Sequence, residues 1–274
     1  MKGSVVRNLL FVVLFVAVFV LLQNVVALTA AGLVAVATSQ SFSAVLGSLQ
    51  GAENGGLYAV ISVFFSLVVI AVFWKTGWTP VSRSYLRSKP WTVLAWVVLL
   101  ALGSILPSEF LSEKAQLMMP EGYQQLFENI MKSPWGYVAL GLLVPVSEEM
   151  VFRGAVLRCL LNMSDRRWHW IPIVLSAAVF GLIHLNLAQG VHAFFIGLLL
   201  GWMYYRTESI VPCVLFHWIN NSVAYIMFHL LPDMNDGKLI DLFHGSDRLM
   251  YGGLFFSLCI LIPSVLQLNM RMKR

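Results

Sequence analysis

Ionisable and amide side chains stand inside three separate apolar stretches of this sequence, at 136–161, 171–187 and 210–231. A charged side chain at bilayer depth costs roughly 3 kcal/mol even on a lenient insertion scale. Ionisable side chains at this depth usually have a function in the protein. The candidates for chemistry are Glu148, Glu149, Arg153, His184, His217 and Asn221.

The first stretch contains two adjacent acids and a nearby arginine. Glu149 and Arg153 stand four residues apart, so on a helix they share one face and can form an ion pair. Glu148 is rotated by about 100° from Glu149 and points to a different face. A carboxylate there can serve as a general base or acid, and Pro145 loosens the helix just before it. The competing interpretation is a buried ion pair beside a Glu that has no chemical role.

The other two stretches supply histidines and an asparagine. Phe180 precedes His184 by one helical turn and is placed to form one wall of a pocket. His217 and Asn221, again four residues apart, project from one face as a donor pair that can stabilise an oxyanion. With Glu148 and His184 polarising a water molecule, this set suits hydrolysis. The competing interpretation is hydrogen bonding between helices, which contributes roughly 1 kcal/mol per bond in membranes.

Two familiar hydrolase patterns are absent from the sequence. There is no Gly-x-Ser-x-Gly elbow for a serine nucleophile and no His-Glu-x-x-His metalloprotease helix. A zinc ion held by Glu148, His184 and His217 with an open fourth position stays an alternative.

Composition indicates a membrane protein. Of 274 residues, 59% are hydrophobic and 11% charged, whereas about a quarter of the residues in a soluble domain are charged. We predict an all-α membrane protein, a bundle of about eight transmembrane helices with an intramembrane catalytic cavity. It forms a single polytopic domain, residues 1–274, whose catalytic core is 135–231. The apolar runs are 8–36, 57–74, 91–106, 136–161, 171–187, 191–205, 210–231 and 249–268.

The charge distribution predicts how the chain crosses the membrane. With eight spans, most Lys and Arg residues fall on one side and most acids on the other, so both termini are predicted to be cytoplasmic. The net charge of +5 is therefore a topology signal, and we expect no nucleic-acid partner. The first run exceeds a signal-peptide core, which favours a retained anchor. Residues 107–134 are predicted to form an external loop with a short interfacial helix.

The remaining cysteines and histidines receive no role in the chemistry. Cys159, Cys213 and Cys259 lie in apolar stretches and are predicted to be reduced core residues. Four further histidines lie near the ends of the predicted spans or in loops: His169, His192, His229 and His244.

Taken together, the three motifs resemble the signature of the CPBP intramembrane peptidases. That family includes the CAAX prenyl endopeptidases, the bacterial Abi proteins and bacteriocin-processing enzymes. The resemblance rests on Glu148-Glu149-x-x-x-Arg153, Phe180-x-x-x-His184 and His217-x-x-x-Asn221 in this order. It covers roughly residues 135–231, about a third of the chain. Residues 1–134 carry no recognisable motif.

The resemblance implies an endopeptidase with an eight-helix fold. It implies that Glu148 is the catalytic glutamate, that His184 helps it to activate water, and that His217 and Asn221 form the oxyanion hole. Glu149 and Arg153 would support the helix geometry behind them. The family's glutamate-based mechanism needs no metal, so we expect no cofactor. The expected partners are a membrane-associated protein or peptide substrate and the lipid bilayer, and the expected location is a bacterial cell membrane.

Two alternatives come from other functional classes. Intramembrane Glu and His residues also build proton relays, so the chain could be a proton-coupled transporter. It could also be a catalytically silent immunity or scaffold protein for a membrane partner. A lost motif residue would indicate a silent protein, and none is lost here.

Overall fold

A computed structural model describes residues 2–50, 54–80, 82–232 and 238–272, and within them there are helices and no strands. The α-helices are α1 Lys2–Thr38, α2 Phe42–Gln50, α3 Gly55–Lys75, α4 Arg83–Arg87, α5 Trp91–Lys114, α6 Glu121–Lys132, α7 Val144–Glu149, α8 Arg158–Leu161, α9 Trp170–Leu182, α10 Leu187–Thr207, α11 Val211–Leu230 and α12 Asp247–Arg271. The prediction of an all-α membrane protein is confirmed.

Two π-helical segments interrupt the predicted fourth span. Tyr137–Leu143 precedes α7, and Met150–Leu157 connects α7 to α8. The four pieces form one continuous helical run over residues 137–161, which we call the composite helix.

Within the part of the chain that the structure describes, six helices are long and apolar enough to cross a membrane. They are α1 from Val5 onward, α3, α5, α10, α11 and α12. The composite helix is not one regular helix, and α9 has 13 residues, fewer than the roughly 20 that a span needs. Each predicted apolar run overlaps a helical segment, but the count of about eight regular spanning helices is not confirmed.

Two predictions made for smaller features need correction. Residues 107–134 do contain a short helix, α6, but α5 also continues to Lys114, beyond its predicted end at 106. All three cysteines are free, and Cys159 and Cys213 are buried. Cys259 is exposed, so its assignment to the core was wrong; its apolar surroundings on α12 are compatible with a lipid-facing side chain.

The chain divides into two compact units. The first comprises Met1–Pro80 and Met119–Asp165. In it, α1 packs against α2 and α3 through a buried cluster of Ala31, Ala35, Val45, Leu49 and Ile61. Phe19 of α1 also meets Phe152 of the composite helix edge to face, with ring centroids 5.5 Å apart.

The second unit comprises Val81–Met118 and Arg166–Arg274. In it, α5 and α12 approach closely: the Ser257 hydroxyl donates to the Gly103 carbonyl at 3.0 Å. A methyl group on Gly103 would come within 2.8 Å of the Leu261 nitrogen, so this position requires glycine. Helices α9 and α10 form a second closely packed pair in this unit. The assignment of residues 1–274 to one domain with a core at 135–231 stays a prediction.

Candidate active site

The two adjacent acids lie at the end of α7, between the two π-helical segments. Pro145 sits in the first turn of α7. Because proline has no N–H, the hydrogen bond that an α-helix would make there is missing. The free-energy cost of changing from π-helical to α-helical hydrogen bonding is therefore lower at this position. Single π-helical turns occur frequently at functional sites. Glu148 and Glu149 therefore stand at a local irregularity of the backbone that the sequence explains in part.

Glu149 and Arg153 form a buried ion pair, which confirms the predicted pairing. Arg153 Nη1 lies 3.0 Å from Glu149 Oε1, and the two side chains are 1% and 0% exposed. Removing either partner would leave a buried charge without its counter-ion. This pair joins the end of α7 to the π-helical segment that follows it.

The neighbouring Glu148 has a different environment. Its residue is partly exposed, whereas Glu149 is fully buried. Consecutive helical residues point about 100° apart, so one turn of helix can bury one acid and leave the next accessible. Of the two acids, Glu148 is the one that a water molecule or a substrate can reach.

Residues that follow α3 hold the second π-helical segment in place. The buried Thr79 hydroxyl donates to the Met150 carbonyl, an acceptor at the start of that segment. A methyl group on Gly154 would overlap the Thr79 side chain, so only glycine allows this approach. Arg158 Nη2 donates to the Trp78 carbonyl at 2.7 Å. Sequence reasoning missed Thr79 and Trp78, which carry no motif and lie far from the composite helix in sequence.

His184 lies beyond the end of α9, which corrects its predicted position inside a span. The helix ends at Leu182, and the His184 ring Nδ1 lies 2.9 Å from the Phe180 carbonyl oxygen. Because a carbonyl oxygen can only accept, Nδ1 carries the proton in this arrangement. In the neutral imidazole, Nε2 is then the proton acceptor.

Phe180 brings the two candidate histidines of the second unit together. Its ring contacts His184 edge to face at a centroid distance of 5.2 Å and His217 at 6.1 Å. His217 is 8% exposed, and Asn221 follows it by one turn of α11 and is partly exposed. His192 on α10 lies near both His184 and His217. His192 could not be singled out from the sequence, because it belongs to none of the three motifs.

The candidate residues are thus distributed over both units. Glu148, Glu149 and Arg153 belong to the first, while Phe180, His184, His217 and Asn221 belong to the second. Their predicted meeting in one pocket stays a prediction. Among the described residues, no group of three His, Cys, Asp or Glu side chains is placed to hold a metal ion.

A comparison with protein families gives a match over the segment that carries all three motifs. Residues 130–223 match the family model Type II CAAX prenyl endopeptidase Rce1-like, which confirms the resemblance to CAAX-type proteases. No curated protein and no solved structure matches the chain. The match supports a protease kind of activity. Together with the six apolar helices it supports an integral, multi-pass membrane protein.

Proposed function

We propose that this chain, which carries an Rce1-like domain at residues 130–223, is an intramembrane endopeptidase. Its substrate would be a membrane-associated protein or peptide, and its reaction the hydrolysis of one peptide bond. One observation carries the proposal: within the matched segment, the partly exposed Glu148 stands beside the fully buried Glu149–Arg153 pair. The buried pair holds the backbone, and the accessible acid is the group suited to chemistry.

In the proposed reaction, Glu148 and His184 act on one water molecule. Glu148 takes a proton from the water with the help of His184, and the water oxygen forms a bond to the carbonyl carbon of the substrate. The carbonyl oxygen becomes an oxyanion, and His217 and Asn221 donate hydrogen bonds to it. The carbon–nitrogen bond then breaks, and the leaving amine takes the proton that Glu148 had accepted. The products are a carboxylate and an amine.

The tautomer of His184 is compatible with this role. With Nδ1 donating to the Phe180 carbonyl, Nε2 is left to accept a hydrogen bond from water. Such a bond would orient the water for attack while Glu148 removes the proton. The mechanism thus assigns different tasks to Glu148, His184, His217 and Asn221, and each can be tested separately.

One observation favours the transporter as a second candidate. Transporters often place ion sites at interrupted helices within the membrane, and the composite helix is interrupted on both sides of Glu148 and Glu149. A transporter would need Glu148 to exchange protons, but it would release no cleavage product. A silent scaffold protein would likewise release none.

Quantitative membrane proteomics that detects newly formed protein termini tests the proposal. Cells that express the wild-type chain are compared with cells that express Glu148→Gln at the same level. An endopeptidase gives termini that are present with the wild type and lost in Glu148→Gln. Equal sets of termini in both samples would contradict the proposal and favour the transporter or the scaffold. The sequences around the lost termini also show whether substrates end in a prenylated cysteine motif.

A further inference from the structure

The turn that carries His184 adopts an unusual backbone conformation. It joins α9 to α10 through residues 183–186, and Leu185 has φ +57°. This left-handed region is unfavourable for a residue with a branched side chain such as Leu, and it persists only where the surroundings enforce it. Leu185 is 81% exposed, so packing of its own side chain does not enforce the conformation. Something else must hold the turn.

The side chain of Asn186 supplies that constraint. Its Nδ2 donates to the His184 carbonyl at 3.0 Å and to Gln189 Oε1 at 2.6 Å. Its Oδ1 accepts from the Gln189 backbone N–H at 2.9 Å and thereby caps α10. The carbonyl requires a donor and the N–H requires an acceptor, so these two backbone partners fix which way the amide points.

His184 is consequently held on several sides. Its carbonyl accepts from Asn186, its backbone N–H donates to the Gly181 carbonyl at 3.2 Å, and its Nδ1 faces the Phe180 carbonyl. With the backbone and Nδ1 both fixed, the direction of Nε2 is fixed as well. We propose that Asn186 is a positioning residue for His184, with Gln189 holding the Asn186 amide. This inference rests on the proposed function, in which Nε2 orients the attacking water.

Helices α9 and α10, on either side of the turn, are also held by contacts that do not involve the Asn186 side chain. A methyl group on Gly181 would come within 2.6 Å of the Gly190 carbonyl oxygen, so α9 and α10 cross with their backbones in close approach. The Gly190 N–H also donates to the Asn186 backbone carbonyl at 2.9 Å, a bond that does not depend on the side chain. A change limited to the Asn186 side chain should therefore leave the α9–α10 pair folded.

The variant Asn186→Ser separates capping from positioning. A serine hydroxyl can still accept from the Gln189 N–H as a helix cap, but it cannot replace the two donations made by the Asn186 amide. The matched control is Ser246→Ala, which removes a cap of α12, where the Ser246 hydroxyl accepts from the Leu249 N–H. This control removes one cap in the same unit and leaves the hydrogen bonds of His184 intact.

Two measurements are made on purified, full-length protein. The first is kcat and KM for a peptide spanning a cleavage site whose terminus depends on Glu148 in the proteomic comparison. Asn186→Ser should lower kcat by about 10- to 100-fold with little change in KM, as expected for a misplaced catalytic group. Ser246→Ala should lower thermal stability and leave kcat unchanged. Gln189→Glu keeps an acceptor for the Asn186 amide and should retain more activity than Gln189→Leu.

The second measurement is hydrogen–deuterium exchange of the peptide that contains residues 183–190. Asn186→Ser should exchange faster there, and Ser246→Ala should not. Wild-type kcat and unchanged exchange in Asn186→Ser would overturn the inference. The inference would also be overturned if Ser246→Ala lowered kcat as much as Asn186→Ser does, because loss of any helix cap would then explain the effect. Failure of the proposed function looks different: the wild type would then give no product that depends on Glu148, while the exchange experiment would still report on the turn.

Discussion

Arg153 and Glu149 stand one helical turn apart and form an ion pair with 3.0 Å between Nη1 and Oε1, in which neither side chain is more than 1% exposed. Glu148, the residue next to this pair, is partly exposed. We propose that this contrast reflects two roles, with Glu149 supporting the fold and Glu148 taking part in the chemistry.

Arg153→Ala should destabilise the protein as well as inactivate it. The substitution leaves the Glu149 carboxylate buried without its counter-ion, which costs about 3–5 kcal/mol. We expect lower folded yield and a lower Tm in detergent. The double variant Glu149→Leu/Arg153→Met, which removes both charges, should recover part of the lost Tm. Normal yield and Tm in Arg153→Ala would contradict a structural role for the pair.

Substitution of the two acids one at a time should have opposite consequences. Glu148→Gln keeps the shape of the side chain and removes the proposed base, so turnover should be lost while Tm and substrate binding remain. Glu149→Gln weakens the buried pair, so Tm should fall. Thermal melts and peptide binding measured side by side test this prediction. A fall in Tm for Glu148→Gln as large as that for Glu149→Gln would refute the assignment.

Asn221→Ala should retain low but measurable activity. Removing one oxyanion donor costs on the order of 100- to 1,000-fold in kcat in other enzymes, and His217 would remain as a donor. The control is Asn220→Ala on the adjacent face of α11, which we expect to change stability more than kcat. If Asn221→Ala kept wild-type kcat, the residue would not act on the oxyanion.

Thr79→Val should destabilise the composite helix. Valine keeps the shape of threonine but leaves the buried Met150 carbonyl without the hydroxyl that donates to it, at a cost of about 1–3 kcal/mol. Thr76→Val is the matched control, because Thr76 directly follows α3 and its exposed hydroxyl donates to the Val72 carbonyl of that helix. Equal Tm values for the two variants would show that the Thr79 bond does not support the π-helical segment.

Chelator treatment tests the expectation that no metal is needed. The purified wild type should keep full activity after treatment with a strong chelator, because the proposed steps use only protein side chains and water. Activity that is lost to the chelator and restored by zinc, with one metal bound per chain, would instead make Glu148, His184 and His217 candidate ligands.

The helices and the ion pair could be predicted because they depend on local sequence. Long apolar runs indicate helices in a membrane, and the spacing of Glu149 and Arg153 places them on one helical face. Both features follow from residues that are close in sequence and need no knowledge of tertiary packing.

The π-helical segments and the true end of α9 could not be predicted from the local sequence. The Met150 carbonyl is satisfied by Thr79, which is 71 positions away in sequence. A left-handed residue is usually signalled by Gly or Asn, but here it is Leu185. Because the side chain of Leu185 is apolar, the predicted span continued to residue 187. The prediction therefore placed His184 inside a helix and not in the turn.

The most direct test of the central claim is cleavage in water enriched in oxygen-18 by the purified protein in liposomes. The substrate is the peptide identified by its Glu148-dependent terminus. We predict that the wild type cleaves it and places one oxygen-18 atom in the new carboxylate, and that Glu148→Gln at equal amount gives no product. No cleavage by the wild type, or equal cleavage by Glu148→Gln, would contradict the account.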